Sequence, residues 1–170
     1  MAFVVETGAG VPNANSYASV SAADGYVADR GIAGWASLTN SVKEQALIKA
    51  TDYLEATYRD AWKGNRITAT QTLSWPRSNV IVDGFLIAAN IMPAPVVNSC
   101  IEMALRSASG ETLIADQGQR VKREKIDVIE IEYQDYSDPT QRYPFVNRML
   151  SPYLLSSADG SFAQVRINRT

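Results

Sequence analysis

Histidine is absent from the 170 residues, and cysteine occurs once. Without imidazole there is no Ser-His-Asp or Cys-His nucleophile pair, and no metal site built on histidine. The lone Cys100 excludes an intrachain disulfide and leaves the redox compartment open. No apolar run reaches the roughly 18 residues that span a bilayer. The opening MAFVVETGAG lacks the basic start and long apolar stretch of a signal peptide. Nor is there an excess of positive charge. The 16 basic and 18 acidic residues give a formal net charge of -2, which makes no electrostatic case for binding duplex DNA. The expectation is a soluble protein without a membrane partner, kept in a cytoplasm or packed into something assembled there.

What is present is ordinary globular composition, 46% hydrophobic and 20% charged, in a length that suits one domain with a real core. Ser19 or Ser21 can cap a first helix stopped by Gly31. Ser41 and Glu44 have capping-box spacing, and Leu47, Ala50, Leu54 and Tyr58 then recur as one apolar helical stripe. The polar stretch KGNRITATQTLSW reads as a connection, and Pro76 forces Trp75 to be extended. Asp83-Gly84 between two apolar triplets is a strong hairpin signal. Pro95 fits the first turn of a third helix, with Val97, Ile101, Ala104, Leu105 and Ala108 on one face. Ile129, Ile131 and Tyr133 alternate with Glu130 and Glu132 as a half-exposed strand does. Pro144 opens a short helix that ends before Pro152. The fold class is therefore mainly α with a β-hairpin and an extra strand (α+β). A small helical bundle spans residues 1–155 and an extended C-terminal arm spans 156–170.

Chemistry is scarce along this chain. Gly8-Ala9-Gly10 lacks the third glycine and the Lys-Ser/Thr of a phosphate loop, so it reads as an ordinary loop. Glu130 and Glu132 could imitate a catalytic carboxylate pair, but strand alternation alone accounts for them. RVKREK at 120–125 suits a charged edge strand better than a phosphate site. Trp62, Trp75 and the tyrosines suit core filling better than base stacking. Cys100 reads as a small buried hydrophobe. No constellation supports an enzyme, and no cofactor or metal is implied.

The hairpin is unusual in being apolar on both sides of its turn: Val80, Ile81, Val82, then Phe85, Leu86, Ile87. A two-stranded ribbon cannot hide both faces against one small core, so either other segments of the chain cover it or a neighbouring subunit does. The neighbour is the favoured reading, and these six residues are the candidates for that contact. In the arm, Val165 and Ile167 share one parity, a pattern suited to joining a partner's sheet edge. Arg166 and Arg169 are placed to pair with acidic groups on that partner.

The segments VVETGAGVPNANSYASVSAADGYVADRG, EQALIKATDYLEATY, WKGNRITATQTLSWPRS and DGFLIAANIMPAPVVNSCIEMALRSAS together resemble the head–tail connector (adaptor) proteins of tailed bacteriophages. Some members carry the label of DnaT-like single-stranded DNA-binding proteins. The resemblance covers about residues 4 to 133 and leaves the arm unmatched. It implies a structural protein of the virion neck, made in the host cytoplasm and forming a homo-oligomeric ring of about twelve copies. That ring would bind the portal protein and tail or neck proteins, and DNA would pass through it without specific binding. Glu130 and Glu132 would then face the lumen. The alternative is a DnaT-like single-stranded DNA-binding replication protein, against which the acidic composition and the apolar setting of the aromatics both weigh.

Overall fold

The computed structural model describes residues 2–113 and 143–155, together with the backbone of two strands at 123–126 and 129–132. Helix α1 (Val20–Asp29) starts at Ser19, whose extended backbone turns its side chain onto the Ala22 N–H. It stops at Arg30, ahead of Gly31. Helix α2 (Asn40–Tyr58) is capped by Thr39, which accepts the N–H of Val42. The expected cap at Ser41 is thus displaced by two residues. Thr39 is the hydroxyl residue that keeps the extended backbone a cap needs, and Ser41 already lies within the first turn. Helix α3 (Ala94–Ala108) begins after Pro93, with Pro95 in the first turn, where a missing N–H costs nothing. Helix α4 (Pro144–Leu150) runs on into a single 3-10 turn at Ser151–Tyr153.

Helices α2 and α3 form the central pair, with α1 against both and α4 against α3. The predicted α2 stripe of Leu47, Ala50, Leu54 and Tyr58 is buried throughout. It faces Val96, Cys100, Ile101, Met103 and Ala104 in one core cluster. Each fully buried Leu, Ile or Met in this seam is worth about 1.5–3 kcal/mol, so the helix pair carries the fold.

The strands are short and antiparallel. β1 (Asn65–Arg66) pairs with β2 (Arg77–Ser78), placing Arg66 opposite Arg77. β3 (Ile81–Val82) pairs with β4 (Phe85–Leu86), and β5 (Arg123–Ile126) with β6 (Ile129–Glu132). The fold is α+β, as the sequence predicts. The stretch expected to be connection alone contains β1. Its pairing is held by a side chain, since Arg77 donates to the carbonyls of Lys63 at 2.7 Å, Gly64 at 2.6 Å and Ser74 at 3.2 Å.

At the hairpin turn Asp83 and Gly84 take φ of +52° and +83°, the left-handed pair that a tight two-residue turn demands. Val80 is fully buried, and Val82 and Ile87 pack on the core. Ile81 and Leu86 stand opposite each other on the other face, 57% and 69% exposed. Phe85 stands opposite Val82, on the core-facing side, yet is 76% exposed, so the core cover ends short of the tip. The chain's own core therefore covers one face of the ribbon, and only Ile81, Phe85 and Leu86 are left for a partner. Val165, Arg166, Ile167 and Arg169, with the whole predicted arm, lie outside the described residues. Glu130 and Glu132 stand on β6 in register with Lys125 and Arg123.

Candidate functional site

The root of the hairpin is tied into the rest of the chain by the Lys63-Gly64 step. The Lys63 N–H donates to the Tyr153 carbonyl at 3.0 Å, and its Nζ donates to the Pro152 carbonyl at 3.1 Å. Gly64 lies so close to Ser78 and Val80 that no side chain would fit between them. Beneath this root Trp75 is fully buried, edge-on to Trp62 and to Tyr153 with ring centroids 5.8 Å away in each case. Tyr58 extends the cluster by packing against Trp62. The two-residue strands thus project from an aromatic base, and that base gives so short a ribbon a fixed direction.

Charge is unevenly placed around it. Residues 59 to 78 hold four basic side chains, Arg59, Lys63, Arg66 and Arg77, against one acidic residue, Asp60. Arg59 and Arg66 are exposed, and Lys63 and Arg77 half-buried. Arg66 Nη1 donates to the Gln71 carbonyl, and Arg59 lies 3.9 Å from Glu55, too far for a strong pair. Burial lowers the pKa of Arg77, yet its hydrogen-bond partners are carbonyls and none is a carboxylate. Its charge therefore adds to the field at the root. At the tip the sign reverses. Asp83 is exposed there, and after burial it is the second influence raising the Tyr153 phenol.

The remaining sequence candidates resolve into structure. Glu6 accepts the N–H groups of Gly8 at 2.9 Å, Gly10 at 3.0 Å and Val11 at 2.7 Å, and is itself buried. The amides that would cradle a phosphate are already occupied by this internal carboxylate. Cys100 is buried with Thr51 Oγ1 3.3 Å away, and burial pushes its thiol up to about 11. All three tryptophans and the six described tyrosines are buried, so the exposed aromatics among the described residues are Phe85 and Phe145. An open cleft of about 360 Å³ between α2 and the end of α3 is lined by Lys49, Asp52, Ser107, Glu111 and Leu113, and no hairpin residue borders it. Among the described residues no group of three or more Cys, Asp or Glu side chains could hold a metal ion. No helix among them is long and apolar enough to cross a membrane.

The hairpin thus presents an exposed apolar tip, Ile81, Phe85 and Leu86, beside a basic root. The family model described as "Putative DnaT-like ssDNA binding protein" matches residues 1–170. The chain belongs to that DnaT-like family. No curated protein and no solved structure matches it. The match overturns the expectation of a phage head–tail connector, together with the virion neck, the twelve-copy ring, the portal and tail partners, and DNA passing without binding. It sides with the alternative named beside that expectation. The lumen-facing role of Glu130 and Glu132 falls with the ring. Net charge averages over the chain and conceals local clusters of one sign. Six acidic residues between positions 124 and 138 offset the basic run at 59–78.

Proposed function

We propose that this chain is a non-enzymatic protein that binds single-stranded DNA. The observation that carries this reading is the match of the DnaT-like family model along the whole chain. The hairpin region supports it, because non-specific single-strand binding needs positive groups along the phosphates and an exposed ring for the bases. Arg59, Lys63, Arg66 and Arg77 supply the first, and Phe85 supplies the second. Two to four phosphate contacts at such a root give a modest, salt-sensitive affinity, with log K falling by about 0.7 per contact for each decade of salt.

The test is fluorescence anisotropy of a labelled oligothymidine with the purified full chain at about 50 and 200 mM salt. Binding that weakens with salt is the expected result. No binding at the lower salt overturns the reading.

A further inference from the structure

We infer that the hairpin orients the strand, holding phosphates at its basic root and unpaired bases along its apolar tip, with Asp83 keeping the phosphate backbone off the tip. This inference rests on the single-strand reading above. The tip carries Ile81, Val82, Phe85 and Leu86, none with a side-chain donor or acceptor, and the glycine of the turn. Its one polar side chain is Asp83, which accepts hydrogen bonds and repels phosphate when ionised. Phosphates are therefore unfavourable at the tip and favourable at the root, where Lys63, Arg66 and Arg77 lie. Asn79, in the left-handed region at φ +58°, and Val80 link β2 at the root to β3 at the tip. Bases reaching outward from a backbone held at the root meet the exposed Ile81 and Leu86 on one face of the ribbon, or the Phe85 ring, which stands opposite Val82 on the other.

Two kinds of selectivity follow from that layout. A ring and two aliphatic side chains read no base edge, so binding is indifferent to sequence, because every base offers a π-face. A duplex cannot present an unstacked base to Phe85, and its second phosphate backbone is brought toward Asp83. The same aspartate thus disfavours duplex more than single strand. Its position also makes a clean substitution available. Asn tolerates the left-handed turn conformation as well as Asp does, so Asp83→Asn removes charge and leaves the turn intact.

The experiment compares the full chain with its Phe85→Ala, Asp83→Asn and Lys63→Gln/Arg66→Gln variants on an oligothymidine and on a duplex of equal length. Phe85→Ala should weaken single-strand binding about tenfold with an unchanged salt slope. The double glutamine variant should reduce that slope by about 1.4. Asp83→Asn should tighten both ligands and tighten duplex more, so that the single-strand preference falls. If the parent chain binds while Phe85→Ala and Asp83→Asn match it on both ligands, this inference fails and the single-strand reading stands. If the parent does not bind, both fail. Light scattering of the free proteins gives a further outcome: an oligomeric parent that Phe85→Ala converts to monomer would mean a second copy covers the tip, and would overturn the inference.

Discussion

Glu55 and Ser74 meet twice: the Ser74 backbone N–H donates to Oε1 at 3.0 Å and its hydroxyl donates to Oε2 at 2.8 Å. The Tyr17 hydroxyl donates to the same Oε1 and accepts the Trp75 N–H at 3.3 Å. One carboxylate on α2 therefore fixes both the N-terminal loop and the segment that leads into the hairpin. Burial, with the Glu55 charge behind it, raises the Tyr17 phenol well above its ordinary range.

Glu55→Ala leaves three donors without an acceptor, all of them on the buried residues Ser74 and Tyr17, where an orphaned group costs about 1–3 kcal/mol. Urea denaturation should show a loss of roughly 3–4 kcal/mol, and Tyr17→Phe a loss nearer 1 kcal/mol. A Glu55→Ala variant as stable as its parent would remove this carboxylate from any organising role.

Asp24 gives a pH-dependent counterpart. Its carboxyl is held below the usual range, first by the hydrogen bond from Lys43 Nζ at 2.8 Å; burial opposes this next, and the Trp35 indole N–H at 2.7 Å and the Lys43 charge lower it further. The folded pKa lies below the unfolded one, so this contribution is complete above the unfolded value near 4. It is lost as pH falls through the folded value. Asp24→Asn should therefore flatten the acid limb of the stability–pH profile below about pH 4 and lower stability at neutral pH. Parallel profiles for parent and variant would contradict the assignment.

Local chemistry was legible in the sequence, and side-chain-mediated pairing was not. Asp83-Gly84 announces its turn because few residues accept two successive positive φ values. The Leu47–Tyr58 stripe announces α2 through its period. Nothing in Asn65-Arg66 announces a strand, since its pairing with Arg77-Ser78 depends on a guanidinium reaching three carbonyls across the loop. The hairpin's double apolar character was visible, but the core under Val80 and Val82 was not. Two strand residues cannot show which face a distant Trp75 supports. The basic root was hidden for another reason. Lys63, Arg66 and Arg77 are spread over 15 positions and read as unremarkable until β1 and β2 set Arg66 opposite Arg77 and Arg77 reaches the Lys63 carbonyl.

Cys100 should be inert in the native protein. Burial drives its thiol up to about 11, and the hydrogen bond with Thr51 offsets this only in part. Little thiolate exists at pH 8, and reagent reaches it only when α2 and α3 separate. Reaction with an aromatic disulfide should run at least about 100-fold slower than for free cysteine and recover in urea. Rapid native labelling would mean that the helix seam opens readily.

The three tryptophans are at most 2% exposed, so they report on the core and not on the proposed site. Native emission should be blue-shifted, and unfolding should move it to the red. Saturation with oligothymidine should leave it within about a tenth of its starting intensity, because stacking requires an exposed ring. Strong quenching would transfer the stacking role from Phe85 to Trp62 or Trp75 and require the aromatic base to open.

Gly64 joins stability to the proposed site most directly. Its φ is +70°, and an added Cβ would collide with the Ser78 carbonyl oxygen and lie 2.8 Å from Val80 Cγ2. Both contacts belong to the hairpin root, so Gly64→Ala must push β2 and β3 away from Lys63. Its own carbonyl accepts from Arg77 at 2.6 Å, and that bond is strained by the same shift. Gly31 is the control. It also has positive φ, +61°, but nothing lies within 4 Å of its Cβ position. Gly31→Ala should cost only the conformational penalty, about 1 kcal/mol, and leave oligothymidine binding unchanged. Gly64→Ala adds a backbone collision and should cost about 3 kcal/mol or more, with a several-fold loss of single-strand affinity under conditions where the variant remains folded. Equal losses of stability in urea for the two variants would show that the root yields freely, and that Lys63 and the hairpin are not held as one unit.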